Sequence, residues 1–300
     1  MKVMNWRYLK NRIINSTGFR WRIESHLILS NAEFAEDEET LEIGCGMGRM
    51  APAMLKRGIR YVGIDSSIKR LVIGKRETKY FSKRGKALYV CGDAGCLPFR
   101  NDQFDKILCN SVLEHIEDDA GVVREMRRVL RPNGTLILAV PALSELSRGV
   151  IIRMACRLRK EIKPYLLHRF LWDIDSPEKM QWTLNRLFGH VNCYDMSSLC
   201  GLCMETGFIP TFRRYYFQGI SSLILQLSYV CSWALRSFPR TASWGQIVLC
   251  YLFWLLSLPD RLLPTGQPGY GILIMAAKTS DKKPGKSGDA TPEIEAAAVT

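Results

Sequence analysis

The sequence predicts an α/β protein: a doubly wound sheet of parallel strands with helices on both faces. Three observations lead there. Between residues 40 and 140, short apolar runs alternate with stretches of helical periodicity. A glycine cluster, Gly44-Cys45-Gly46-Met47-Gly48, stands where the first apolar run ends. Acidic residues, Asp65 and Asp93, stand at or just past the ends of the next two. Short apolar strands separated by helices are the signature of β-α-β units whose sheet is covered on both sides.

The elements follow in order. Ile23, Leu27, Ile28 and Phe34 give residues 20–35 the spacing of an amphipathic helix. The acidic turn at 36–39 leads into a strand over 40–43. Residues 60–65 read as a strand, 68–82 as a helix, 87–91 and 104–109 as strands, and 120–130 as a helix. Arg131-Pro132-Asn133-Gly134 is a turn that stops that helix. Residues 135–140 form the fifth strand, closed by Pro141. The rhythm then breaks over 142–190, which is basic and aromatic. It resumes with a helix at 196–205, a stop at Gly207, a strand at 208–217 and a last strand at 270–277. The expected organisation is an N-terminal helical segment (1–37), a core (38–141) completed by 191–217 and 269–278, insertions at 142–190 and 218–268, and a disordered tail (279–300).

Composition bounds the partners. A hydrophobic content of 47% with 24% charged residues excludes wholesale disorder. The net charge of +13 predicts attraction to an anionic phospholipid surface, a nucleic acid or a phosphorylated substrate; a merely basic soluble protein is the other reading. Of ten cysteines, Cys45 lies in the glycine loop, and Cys91 and Cys109 lie in apolar runs. They read as small buried hydrophobes in a reducing cytoplasm. Cys200 and Cys203 form a C-x-x-C with no second ligand pair, which reads as two positions on one helical face, so no metal site is expected. The N-terminal Met-Lys-Val-Met-Asn-Trp-Arg holds no apolar run of signal-peptide length, which predicts that the chain is not exported by that route.

The glycine loop carries the chemistry. Glycines between a strand and a helix permit positive φ and close approach of backbone to a ligand, and the following helix offers free N–H groups. A dinucleotide fingerprint would want a third glycine at position 49, which is Arg49. Asp65, about 20 residues beyond the loop, is placed to accept both hydroxyls of a ribose. Gly92-Asp93-Ala94 follows the third strand, and in a doubly wound sheet these strand ends meet at the ligand-binding edge. Either carboxylate alone could be a helix cap or turn residue; their spacing behind a glycine loop selects the ligand reading.

The series at 41–50, 61–66, 91–99, 104–116 and 124–141 resembles the ordered motifs of class I S-adenosylmethionine (SAM)-dependent methyltransferases. It is most similar to the small-molecule group that includes quinone-biosynthesis methyltransferases. The resemblance covers most of 38–141 and resumes less specifically at 189–217 and 269–278. It implies a Rossmann-like, seven-stranded, mostly parallel sheet with a terminal antiparallel hairpin. It also implies that Glu42, Gly44, Gly46 and Gly48 surround the methionine part of SAM. Asp65 would hold the ribose, Asp93 the adenine amino group, and Ala94 would lie against the ring. Asn110 would follow the fourth strand near the transferred methyl, and Gly189-His190-Val191 resembles a segment preceding the next helix in relatives. Methyl transfer asks the protein for alignment, exclusion of water and, for some acceptors, removal of a proton; His115 and His190 are the candidate bases, with loop anchoring the alternative role for His115.

The insertions bear on the acceptor. Leu146, Val150, Met154 and Leu158 recur every four residues with Arg153, Arg157 and Lys160 between them. This basic amphipathic pattern fits anionic lipid, a lid over the active site, or both. The apolar runs at 220–238 and 247–258 are joined by a Pro-Arg-Thr turn, and the second is too short to span a bilayer, which takes ~20 residues. They read as a hairpin dipping into one leaflet, or packed on the core or on a second copy; the sequence leaves the oligomeric state open. The leading expectation is a cytoplasmic, peripherally membrane-associated methyltransferase acting on a lipid-like or lipid-linked small molecule. An RNA acceptor, or a non-catalytic SAM- or membrane-binding protein, are the alternatives; no RNA-binding module is recognisable.

Overall fold

The computed structural model describes residues 19–81, 86–142, 189–217 and 269–279. The expected insertion at 218–268, that at 142–190 apart from Ala142, Gly189 and His190, and the tail beyond Thr279 lie outside the described residues, as do residues 1–18. The strands are β1 (Glu39–Ile43), β2 (Arg60–Asp65), β3 (Ala87–Cys91), β4 (Phe104–Asn110), β5 (Leu130–Pro141), β6 (Phe208–Tyr216) and β7 (Gly271–Lys278). They form one sheet in the order β3-β2-β1-β4-β5-β7-β6. The first five run parallel, and β7 is antiparallel to both β5 and β6, so the terminal hairpin is as expected.

Alternation along each strand sorts side chains into two layers. On one face, α1 (Phe19–Asn31), α2 (Ala51–Lys56) and α3 (Ile68–Thr78) bury Ile28, Met54, Leu55 and Leu71 against Tyr61, Leu108, Ile137 and Leu273. On the other, α4 (Asp119–Val129) and α5 (Met196–Glu205) bury Val122, Met126, Leu199 and Cys203 against Leu41, Ile43, Ile107 and Leu138. Cys200 and Cys203 both face this core from α5, as their spacing predicts. The second-layer helices start on side-chain caps. Asp118 accepts from the Gly121 amide, and Asp195 and Ser198 form a reciprocal capping box.

Two boundaries differ from expectation for local reasons. The helix expected over 68–82 ends at Thr78, and a 3-10 turn (Lys79–Phe81) follows. The Thr78 hydroxyl donates to the Gly74 carbonyl at 2.9 Å, a back-bond that competes with regular continuation. The turn expected at 131–134 lies inside β5. Leu130 pairs with Phe104 and the next pair is Thr135 with Lys106, so the intervening residues bulge from the ladder, with Asn133 at φ +63. The bulge places Arg131 against Asp105 and Glu39, an ion-pair cluster that fastens β5 to β4 and β1.

Gly74 lies inside α3, where alanine is ordinarily the better helix former by about 1 kcal/mol. A Cβ there would sit 2.9 Å from the backbone carbonyl carbon and oxygen of Met47 and 3.0 Å from the Tyr89 ring. Gly74→Ala is therefore expected to lower stability by about 1–3 kcal/mol, against its helix propensity. Urea unfolding reads this directly, and an unchanged or raised midpoint would refute the packing.

Candidate functional site

The glycine loop leaves β1 through three left-handed turns: Gly44, Gly46 and Gly48 have φ of +62, +54 and +61. Their surroundings differ. A Cβ on Gly44 would lie 2.3 Å from Val112, and one on Gly48 would lie 2.2 Å from the Tyr89 hydroxyl. At Gly46 the nearest atoms to such a Cβ are Arg70 Cδ at 3.9 Å and Asp65 Oδ2 at 4.0 Å. Two glycines are thus required by protein packing, whereas Gly46 borders open space beside a carboxylate. Its own amide donates to Asp65 Oδ2 at 2.8 Å.

Asp65 ends β2 at only 7% exposure. Its second oxygen, Oδ1, accepts from the Ser67 amide at 2.8 Å. An ionised carboxylate can accept about four hydrogen bonds, so two acceptor positions remain beyond these backbone donors. A cradle with spare carboxylate capacity, a donor-rich loop and room at Gly46 fits a ribose diol. Asp93 is exposed just past β3 in a turn of its own, its Oδ1 accepting from the Gly95 amide, with Ala94 beside it against the second core. Arg128 fixes the chain that follows, bonding Glu125 through two nitrogens and the carbonyls of Leu97 and Phe99.

Glu42 is the one carboxylate of β1 that enters the first core, at 5% exposure. It accepts a short hydrogen bond from the Tyr61 hydroxyl. Burial pushes its carboxyl up to about 7; the Tyr61 bond opposes the rise and the charge of Asp65 adds to it. Cys45 is buried nearby, and burial followed by Glu42 and Asp65 pushes its thiol up as well, so it is a packing residue rather than a nucleophile.

Asn110 ends β4, and its Oδ1 accepts from the Ser111 hydroxyl at 3.3 Å. Ser111 is in the left-handed region at φ +56, and this turn brings Val112 onto Gly44. A 3-10 turn, Leu113–His115, follows. Segment 189–194 is strapped across it. The Val191 and Asn192 amides donate to the Glu114 carbonyl, and the Tyr194 hydroxyl donates to Asp119 at 2.6 Å. The strap brings the two candidate bases together, with ring centroids 4.8 Å apart and edge to face. His115 Nδ1 lies 3.0 Å from the Gly189 carbonyl, which can only accept. Its Nε2 therefore carries the lone pair in the neutral ring, 3.9 Å from the buried Glu114 Oε1.

Sequence reasoning missed four contributors here. Tyr61 stands two residues before Gly63, the register partner of Glu42, so strand pairing was needed to see it face Glu42. Glu114 gave one signal, a carboxylate directly before a candidate base, but its burial follows from the strap. Val112 and Tyr89 are ordinary core residue types whose role is to occupy the space beside two glycines.

Known proteins resemble this chain in sequence and fold. The family described as "Methyltransferase domain" matches residues 41–138. The ubiquinone biosynthesis O-methyltransferase of Histophilus somni is 25% identical over 170 residues, covering 52% of this chain and 66% of that one. The demethylmenaquinone methyltransferase of Renibacterium salmoninarum is 28% identical over 120 residues, covering 40% and 47%. The chain thus spans about half to two thirds of the length of these relatives. The crystal structure of the YcgJ protein of Bacillus subtilis superposes with a TM-score of 0.52 at 20% identity, covering 86% of this chain and 99% of that one, a likeness of fold.

Two outcomes test the cradle. Gly46→Ala places a methyl group in the open space beside Asp65 at a position strained by roughly 1 kcal/mol; it is expected to abolish SAM binding in calorimetry with only a small loss of stability. Gly48→Ala, which collides with Tyr89, is expected to lose stability as well; full SAM affinity in Gly46→Ala would refute the cradle. The second concerns pH. The unfolded chain releases the Glu42 proton near its ordinary 4.5 and the folded chain near 7. The contribution of Glu42 to stability is therefore greatest below 4.5 and falls as pH rises to 7, opposite in sign to the contributions of Asp105, Glu125 and Asp195, whose carboxyls are held below their ordinary values. Glu42→Gln is expected to flatten that fall in thermal melts and to gain a few kcal/mol above neutrality; parallel profiles for the two proteins would exclude Glu42 as the titrating group.

Proposed function

From the match of residues 41–138 to the methyltransferase-domain family, we propose that the chain is a class I SAM-dependent methyltransferase that methylates a lipid-like or lipid-linked small molecule at the cytoplasmic face of a membrane. The observation that carries the methyltransferase reading is the Gly46–Asp65 cradle within the matched domain. SAM supplies a methyl group already activated on a sulfonium. The chain's own residues hold the rest of the reaction in place: Asp65 and the loop amides bind, Asp93 and Ala94 border the adenine side, and Glu42 lies under the loop. For a hydroxyl or carbon acceptor, the His115–His190 pair at the end of β4 takes up the proton, with Glu114 beside His115 to stabilise the resulting charge.

The acceptor class rests on three supports. The matched relatives are named for ubiquinone and demethylmenaquinone, both quinone chemistry. The net charge of +13 favours an anionic surface. Both insertions are anchored at the edge that carries the site. The first leaves after Ala142 and returns at Gly189, whose carbonyl holds His115. The second leaves after Phe217 and returns before Tyr270, where Gly271 pairs with both Pro141 and Tyr216. The membrane contact proposed is peripheral; no helix among the described residues is long and apolar enough to cross a membrane.

Transfer of label from methyl-labelled SAM into a total cell extract is the direct test. Label is expected in the organic-soluble fraction. Label in RNA would replace the acceptor class, and absence of SAM binding would remove the enzyme reading altogether. In the same assay His115→Ala and His190→Ala are each expected to lower turnover about a hundredfold, within the usual range for a general base; undiminished turnover in both would end that role.

A further inference from the structure

The helix that packs on the glycine loop has a second face. α3 turns Leu71, Gly74 and Thr78 inward, and Gly74 is in contact with the loop backbone at Met47. The outward face carries Ile68, Val72 and Ile73, exposed to 58%, 60% and 41%. Between and beside them stand Lys69, Lys75, Arg76 and Lys79, all exposed. The charge is concentrated here in the sequence as well. Residues 68–88 hold eight Lys and Arg against the single acid Glu77, a net +7 of the chain's +13.

We propose that the outward face of α3 is a docking surface for an anionic phospholipid bilayer. Exposed branched aliphatic side chains flanked by lysine and arginine suit the interface between acyl chains and acidic headgroups. The aliphatic groups enter the apolar boundary while the long basic side chains reach back to phosphate. A nucleic acid would be met differently, because single strands are gripped by stacking on aromatic rings. The large apolar residues exposed among the described residues are all aliphatic or Met, with no aromatic ring. The surface is also well placed for the reaction. Its inner side abuts the cofactor loop, so docking holds the SAM site one helix thickness from the lipid. This deepens the membrane-face reading and rests on it, but assigns the contact to the core fold rather than to the insertions.

The test uses the full chain with an environment-sensitive fluorescent amino acid genetically incorporated at position 72 or, as control, at the exposed Met204 of α5 in the opposite helical layer. Vesicles of phosphatidylglycerol and phosphatidylcholine in equal parts are expected to shift the emission at 72 to the blue. Pure phosphatidylcholine, high salt and the control position are expected to give no shift. A Lys69→Glu, Arg76→Glu double variant is expected to weaken vesicle binding at least about tenfold while binding SAM normally. Co-sedimentation with the acidic vesicles without a response at 72 would overturn this surface and leave the membrane-face reading standing. Absence of co-sedimentation would overturn both. A shift at 72 with RNA and none with vesicles would overturn the lipid assignment.

Discussion

The structure depends on one constraint: how closely the backbone of the glycine loop can be approached. Three contacts close around it. Val112 occupies the space a side chain at Gly44 would need, Tyr89 the space at Gly48, and Gly74 lets α3 come against the Met47 carbonyl. Each partner arrives from a different element, so β4, β3 and α3 are all positioned against the same five residues. What these contacts leave open is the side of Gly46 that faces Asp65. Among the described residues, the candidate cradle is thus bounded by packing at Gly44 and Gly48 and open at Gly46.

The constraint also explains a polar pair within an apolar layer. Glu42 faces the layer that Met54, Leu55 and Leu71 fill, because strand alternation puts Leu41 and Ile43 on the opposite face. A carboxylate so placed would be costly as a lone ion, and burial accordingly raises its proton affinity. Tyr61 offsets part of that penalty by donating to it, and Gly63 leaves room, since a Cβ there would lie 2.7 Å from both the Tyr61 hydroxyl and Cys45 Sγ. Glycine in the middle of β2 is ordinarily a weakness in a strand. Here it is the space in which the Glu42–Tyr61 pair closes.

Much of this was legible in the sequence, and the boundary of legibility has a physical form. Features that depend on local periodicity could be read directly: the strand–helix alternation, the loop at 44–48, the carboxylates at 65 and 93, the inward cysteines of α5. Features that depend on which strand lies beside which could not. Tyr61 became a partner of Glu42 only through the parallel register of β1 and β2. The bulge at 131–134 satisfied every local rule for a turn; ladder pairing on either side of it, together with Arg131 reaching Asp105 and Glu39, made it part of a strand. His115 and His190 were each singled out alone, and their adjacency required the strap that docks 189–194 on the turn after β4.

The same adjacency bears on where the acceptor must come from. On the proposed reading, the ends of β1, β2 and β3 serve the cofactor through the glycine loop, Asp65 and Asp93, which assigns the end of β4 and its neighbours to the acceptor. Both long insertions begin and end there: one is tied to His115 through Gly189, the other to Pro141 and Tyr216 through Gly271. Loop closure adds little for extra length once the ends are fixed, so a core of this kind can take on large insertions at that edge without disturbing the cofactor cradle. The two halves of the site are under different constraints as a result. The cofactor half is held by packing that a methyl group at Gly44, Gly48 or Gly74 would disturb, whereas on the other half the described anchor is the Gly189 carbonyl against His115. On the proposed reading the core keeps the cofactor and the acceptor is met at the other edge, and the basic outer face of α3 lies on the cofactor half, where its position follows from the same contacts that hold the loop.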